Sequence, residues 1–198
     1  MKSEIVEELI IKLKEGNQRF IKNVPRWHDF VNERKVVEKA QHPQIIVLAC
    51  SDSRVDPAYI FDANIGDLFI IRTAGNVLDK VAIGSIEFAA YHLKCPLILI
   101  LGHESCGAIS AALLDEPITN NINAIINEIK PAIETVKMKE IDAEVMFDEI
   151  VCENVRLQRR KLVNYSPLLN DLITKEELFV IGGVYSLHTG EVKFLDDE

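Results

Sequence analysis

Ile45-Ile46-Val47-Leu48-Ala49-Cys50-Ser51-Asp52-Ser53-Arg54 changes character halfway: five consecutive apolar residues stop on a cysteine and a short polar loop. A strand with one wet face would alternate. An unbroken run of this length is the pattern of a strand buried on both faces, as in a parallel sheet covered by helices. Pro96-Leu97-Ile98-Leu99-Ile100-Leu101 repeats the pattern and stops on Gly102-His103-Glu104-Ser105-Cys106, while Leu68-Phe69-Ile70-Ile71 and Leu178-Phe179-Val180-Ile181 are shorter runs of the same kind. Between the second and third runs, Val81, Ile86, Ala89, Ala90 and Leu93 form an apolar face within Val77 to Lys94, long enough for a crossover helix. These patterns predict an α/β fold with a mostly parallel central sheet flanked by helices.

At the amino end, Ile5, Val6, Leu9, Ile10 and Leu13 recur at helical spacing until Gly16. Val31 to Lys39 is expected to continue this helical arm, and His42-Pro43 to end it, because a residue before proline avoids helical angles. Asn120 to Lys161 reads as helical with a break at Pro131. Gly182-Gly183, a turn at His188-Thr189-Gly190 and a last short strand close the chain. At 198 residues, one domain is expected over 1–198, with the arm over 1–40 and the α/β core over 41–198.

In an open parallel sheet, ligands bind beyond the carboxyl ends of the strands, where the strand order reverses. Cys50 and His103 each fall at such an end, and Cys106 falls in the first turn of the next expected helix, where the helix terminus favours a thiolate. Two thiolates and one imidazole make three zinc ligands, and the fourth tetrahedral position is left for water or substrate. Gly102 to Gly107 also matches GxxxxG, but Ala108-Ile109 stand where a phosphate loop needs Lys and Ser or Thr, and no G-x-G-x-x-G follows an expected strand. Asp52 and Arg54 alternate with serines just past Cys50, within ion-pair reach of each other. Asp52 either accepts a hydrogen bond from a zinc-bound hydroxide, kept ionised by Arg54, or fills the fourth position and closes the site.

The totals narrow the partners. A formal charge of −9 opposes binding to nucleic acid or an anionic membrane, and no apolar stretch approaches the ~20 residues of a membrane helix. The first residues carry Glu4, Glu7, Glu8 and Glu15 and no secretory pattern, so a cytoplasmic location is expected. In that reducing compartment the four cysteines are metal ligands, nucleophiles or small apolar groups, and Cys95 and Cys152 are assigned to the last kind.

CSDSRV at Cys50 to Val55 and GHESCGA at Gly102 to Ala108 resemble the two zinc motifs of the β-class carbonic anhydrases. The likeness extends to Gly16-Asn17-Gln18-Arg19-Phe20, Ile65 to Asn76, Gly84 to Ala89 and Gly182-Gly183-Val184-Tyr185, nearly the whole chain. It implies one zinc ion per chain on Cys50, His103 and Cys106, Asp52 and Arg54 as a catalytic dyad, and reversible hydration of carbon dioxide to bicarbonate. Gln41, Phe69, Phe88 and Gly107 match the substrate side of the site, although many members have tyrosine where this chain has Phe88. The resemblance also implies a homodimer or homotetramer with active sites at subunit boundaries. Val47 stands where some bacterial members use a tryptophan beside an inhibitory bicarbonate, so that anion site is not expected here despite Arg72. Relatives of this architecture that hydrolyse carbonyl sulfide or carbon disulfide, and a non-catalytic zinc protein closed by Asp52, are the alternatives.

Overall fold

The computed structural model describes residues 2–114, 119–139 and 141–195. Its centre is a five-stranded sheet in the order β2-β1-β3-β4-β5. β1 (Ile45–Cys50), β2 (Leu68–Thr73), β3 (Leu97–His103) and β4 (Phe179–Tyr185) are parallel, and β5 (Val192–Leu195) runs antiparallel to β4. Every residue of β1 and β3 is buried, which accounts for their lack of alternation. From β1 the chain steps outward to β2, then crosses back over β1 to β3. The strand order therefore reverses between β1 and β3, and the crevice beyond their carboxyl ends is the topological binding position.

Helices cover both faces. Ile46, Leu48, Ile98 and Ile100 pack beneath α4 (Lys80–Glu87), α7 (Ala143–Tyr165) and α8 (Pro167–Thr174). Ile45, Val47, Leu97 and Leu99 pack against Val6, Leu9 and Leu13 of α1 (Lys2–Ile21) and Ile60 of α3 (Pro57–Ile60). Beyond the strand ends, α5 (Gly107–Leu114) and α6 (Asn120–Lys137) close a third cluster around Cys50, Cys106, Ile109, Ile129 and Ile133. A methyl group on Gly102 or Gly182 would lie 2.7 or 2.8 Å from a Val155 methyl, so α7 reaches the sheet only because these two strand positions have no side chain.

Several boundaries differ from expectation, each for a contact reason. α1 does not stop at Gly16; it runs on to Ile21, and the glycine lets the helix lie against the Phe61 carbonyl. The arm is not continuous either, since α2 spans only Phe30–Val36 behind an Asp29 cap that accepts from the Asn32 N–H. The crossover is broken into a 3₁₀ turn at Ala74–Asn76, α4, and a π-helical turn at Phe88–His92, and Val81 is exposed rather than part of the apolar face. Pro131 does not break α6: Ile126, Ile129, Ala132, Ile133 and Val136 are buried on both sides of it, and packing carries the helix past the missing N–H. Gly182 and Gly183 lie inside β4, and Cys152 is only half-buried, whereas Cys95 is buried and its thiol is pushed up to about 12 by desolvation.

One polar knot fastens the arm to the core. Asp62 is buried, accepts from Arg19 Nε at 2.5 Å, His28 Nε2 at 3.1 Å and the Arg26 N–H at 3.1 Å, and its carbonyl accepts from the Arg26 guanidinium. Burial alone would raise its pKa, but the Arg19, Arg26 and His28 hydrogen bonds together outweigh it and hold the carboxyl at about 2. Since the folded value is below the ordinary carboxylate value of ~3.9, the stabilisation is full above that value and is lost as the pH falls toward 2. Asp62→Ala is expected to cost about 2 kcal/mol at pH 7. Urea denaturation at pH 7 and pH 3 checks this, with the gap between the two proteins narrowing at the lower pH.

Candidate active site

Cys50 ends β1, His103 ends β3, and Cys106 immediately precedes α5, so the strand ends on either side of the β1/β3 crevice supply two of the three side chains directly. The turn between His103 and Cys106 is tight: Ser105 adopts φ 52°, and its carbonyl accepts from Arg54 Nη2 at 3.3 Å. All three side chains are buried, at 4%, 0% and 1% exposure, and their donor atoms lie within 4.8 Å of one another. Among the described residues this is the one cluster of three or more cysteine, histidine and acidic groups with the geometry to hold a metal ion.

The atoms meet the requirements of a metal. His103 Nδ1 donates to the Glu104 carbonyl at 2.8 Å, which fixes the tautomer and leaves the Nε2 lone pair free. Nε2 is buried with no hydrogen-bond partner, an arrangement that is costly for an imidazole unless something else takes up the lone pair. Cys50 Sγ and Cys106 Sγ are 3.9 Å apart. Two thiolates each about 2.3 Å from one tetrahedral ion would lie about 3.8 Å apart. The contact between the two sulfurs holds the Cys50 thiol below its ordinary range, and the same contact, together with burial, pushes Cys106 upward.

Beside the donors, Asp52 and Arg54 form a two-point pair. Arg54 Nε donates to Oδ1 at 2.9 Å and Nη2 to Oδ2 at 2.7 Å, and the Arg54 backbone N–H adds a third bond at 2.9 Å. The Arg54 hydrogen bonds hold the Asp52 carboxyl well below the usual carboxylate range. Asp52 Oδ2 stands 4.0 Å from His103 Nε2. Arg72 fixes the loop itself, donating from Nε to the Cys50 carbonyl at 3.0 Å and from Nη2 to the Asp52 carbonyl at 2.6 Å. Gly75 N–H donates to Cys50 Sγ at 3.2 Å.

Of the residues matched to the substrate side, Gly107 adjoins the donor Cys106, whereas Gln41, Phe69 and Phe88 are not gathered around the donors of the same chain. Phe69 pairs with Ile46, four residues before the level of Cys50, or about 13 Å along the strand, and it faces Phe88 at a ring-centroid distance of 6.5 Å. Phe88 is 46% exposed, and Gln41 is exposed in the segment before β1. Gly107, the first residue of α5, has open space where a side chain would stand. Sequence reasoning missed Gly75, whose N–H meets the Cys50 sulfur across 25 residues, and no local pattern marks that contact.

A parallel sheet with three soft and borderline metal donors at its switch point defines an α/β protein built around a candidate metal centre. A family model described as carbonic anhydrase matches residues 45–192. Carbonic anhydrase 2 of Mycobacterium tuberculosis is 34% identical over 189 residues, covering 93% of this chain and 90% of the relative. Among solved structures, a Coccomyxa β-carbonic anhydrase in complex with acetazolamide superposes with a TM-score of 0.76 at 30% identity, over 83% of this chain and 77% of that one. A tetrameric β-carbonic anhydrase from Sordaria macrospora gives 0.73 at 26% identity, over 82% and 85%. The chain belongs to the β-class carbonic anhydrases, a family of lyases. No helix among the described residues is long and apolar enough to cross a membrane.

Proposed function

We propose that the chain catalyses the reversible hydration of carbon dioxide to bicarbonate and a proton, with one zinc ion held by Cys50, His103 and Cys106. The observation that carries this is the buried, unpartnered His103 Nε2 beside two sulfurs 3.9 Å apart. Zinc, when bound, lowers the pKa of water from ~15.7 toward ~7 and so supplies hydroxide at neutral pH. Its ligands come from two strand ends and one helix start, which bring the donors together without a dedicated loop. A reducing cytoplasm would keep both thiols available.

The chain's own residues do the rest. Asp52, ionised and an acceptor only, would accept a hydrogen bond from a hydroxyl supplied at the metal and so orient it toward carbon dioxide. Arg54 occupies both carboxylate oxygens, which supports an open fourth position rather than one closed by Asp52. The direct test is acidification of carbon dioxide solution by zinc-loaded protein, followed with a pH indicator; a rate equal to that of buffer alone at both pH 7 and pH 8.5 would refute the reading.

A second copy completes the site in this reading. Gln41, Phe69 and Phe88 lie away from the donors of their own chain, β2 is an edge strand, and Ile70, Phe88 and Tyr91 are exposed along it. Sedimentation at micromolar concentration is expected to show two or more chains per particle. A fully active monomer would return Phe69 and Phe88 to a packing role and Gln41 to a solvated loop amide.

A further inference from the structure

Asn154 and Gln158 lie one helical turn apart on α7, at 1% and 0% exposure. A buried amide without partners costs roughly 1–3 kcal/mol, so two of them among the buried residues of α7 call for an account. Their hydrogen bonds form a chain with one side branch, from Gln158 Nε2 to the Glu128 carbonyl at 3.4 Å. Leu78 N–H donates to Gln158 Oε1 at 3.0 Å, Gln158 Nε2 to Asn154 Oδ1 at 3.1 Å, and Asn154 Nδ2 to the Gly75 carbonyl at 3.0 Å. Gly75 N–H then donates to Cys50 Sγ. Each amide has its oxygen toward a donor and its nitrogen toward an acceptor, so the flips are settled by the network.

We propose that Asn154 and Gln158 are positioning residues for the metal centre, holding the loop after β2 so that the Gly75 N–H points at the Cys50 sulfur. The proposal rests on the metal reading above. The loop carries two consecutive left-handed residues, Gly75 at φ 70° and Asn76 at φ 47°, a conformation that tertiary contacts select from the chain's alternatives. A side chain at Gly75 would meet Ile129 Cδ1 at 2.8 Å and Ala108 Cβ at 3.1 Å, so neither element above it leaves the loop room to move. Thr73 Oγ1 braces the same loop by donating to the Val77 carbonyl at 2.7 Å, and the Asn154 bond holds Gly75 itself. An N–H directed at a thiolate draws charge from the sulfur. Two thiolates donate heavily to a metal, and this bond moderates one of them, which would make the activated water more acidic.

Cobalt(II) reports on this directly, because thiolate-to-cobalt charge transfer absorbs in the near ultraviolet and its energy follows the charge on sulfur. The wild-type chain, Asn154→Leu and Gln158→Met are to be loaded with cobalt and compared by absorption, by cobalt release to excess chelator and by melting temperature. Asn154→Leu is expected to move the band to lower energy and release cobalt about tenfold faster. Gln158→Met, one bond further out, is expected to shift both in the same direction by less, and it carries the test if the leucine variant does not fold. A folded variant with a lowered melting temperature but unchanged band and release rate would show a purely structural role and overturn the proposal. No charge-transfer band in the wild-type chain would overturn the metal reading itself, and this proposal with it.

Discussion

Serine in place of Cys106 is expected to remove bound metal and activity together. The exchange is nearly isosteric, so the fold should survive, but a serine hydroxyl is not deprotonated by its surroundings and is a poor ligand for a borderline-soft ion. Two donors would remain, Cys50 Sγ and His103 Nε2, in a site whose burial leaves little room for water to substitute. Carbon dioxide hydration should fall by roughly a thousandfold or more, because hydroxide at neutral pH is the part of the reaction that the side chains alone do not provide. Elemental analysis after gel filtration gives the metal content, and the indicator assay gives the rate. Cys152→Ser serves as the control, since Cys152 is half-buried on α7 and is not one of the clustered donors; it should keep both metal and rate. Full zinc and full activity in the Cys106 variant would refute the ligand assignment.

What could be read in advance followed from burial on two faces and from position at strand ends. β1 and β3 are buried throughout, so their apolar runs had no competing interpretation, and the residues that stop those runs are Cys50 and His103. Where the reading failed, a partner remote in sequence decided the outcome. Gly16 looked like a helix terminator because its contact, the Phe61 carbonyl, lies on another element. Pro131 looked like a break because the buried stripe on both sides of it becomes visible only when α6 is packed. Asn154 meets Gly75 across 79 residues, and no local pattern marks that pair. Phe69 is a different case: its distance from the level of Cys50 follows from the parallel register, which exists only once the strands are paired.

For Asp52→Asn the expected outcome is retained metal with turnover reduced by a factor of about 10² to 10³. The asparagine keeps the size and one acceptor oxygen, but its NH₂ group cannot accept the second Arg54 N–H, and the negative charge is lost. Charge and orientation can be separated. Arg54→Lys removes the planar two-point grip while leaving Asp52 ionised at neutral pH, because even an unassisted carboxyl titrates near ~3.9. If Asp52 acts as a charged acceptor, the asparagine variant loses much more than the lysine variant; if it acts only through its fixed geometry, the two losses are similar. The pH profile adds an independent check. Arg54 holds the Asp52 carboxyl below its ordinary range, so a group with this downward shift is fully ionised above ~4 and becomes protonated only in acid. An increase in wild-type activity between pH 7 and pH 8.5 therefore comes from a group other than Asp52, and Asp52→Asn should lower the whole profile, with its midpoint moving toward lower pH because a neighbouring negative charge is removed. Near-normal turnover in that variant would reduce the Asp52–Arg54 pair to a pin for the loop that carries Cys50.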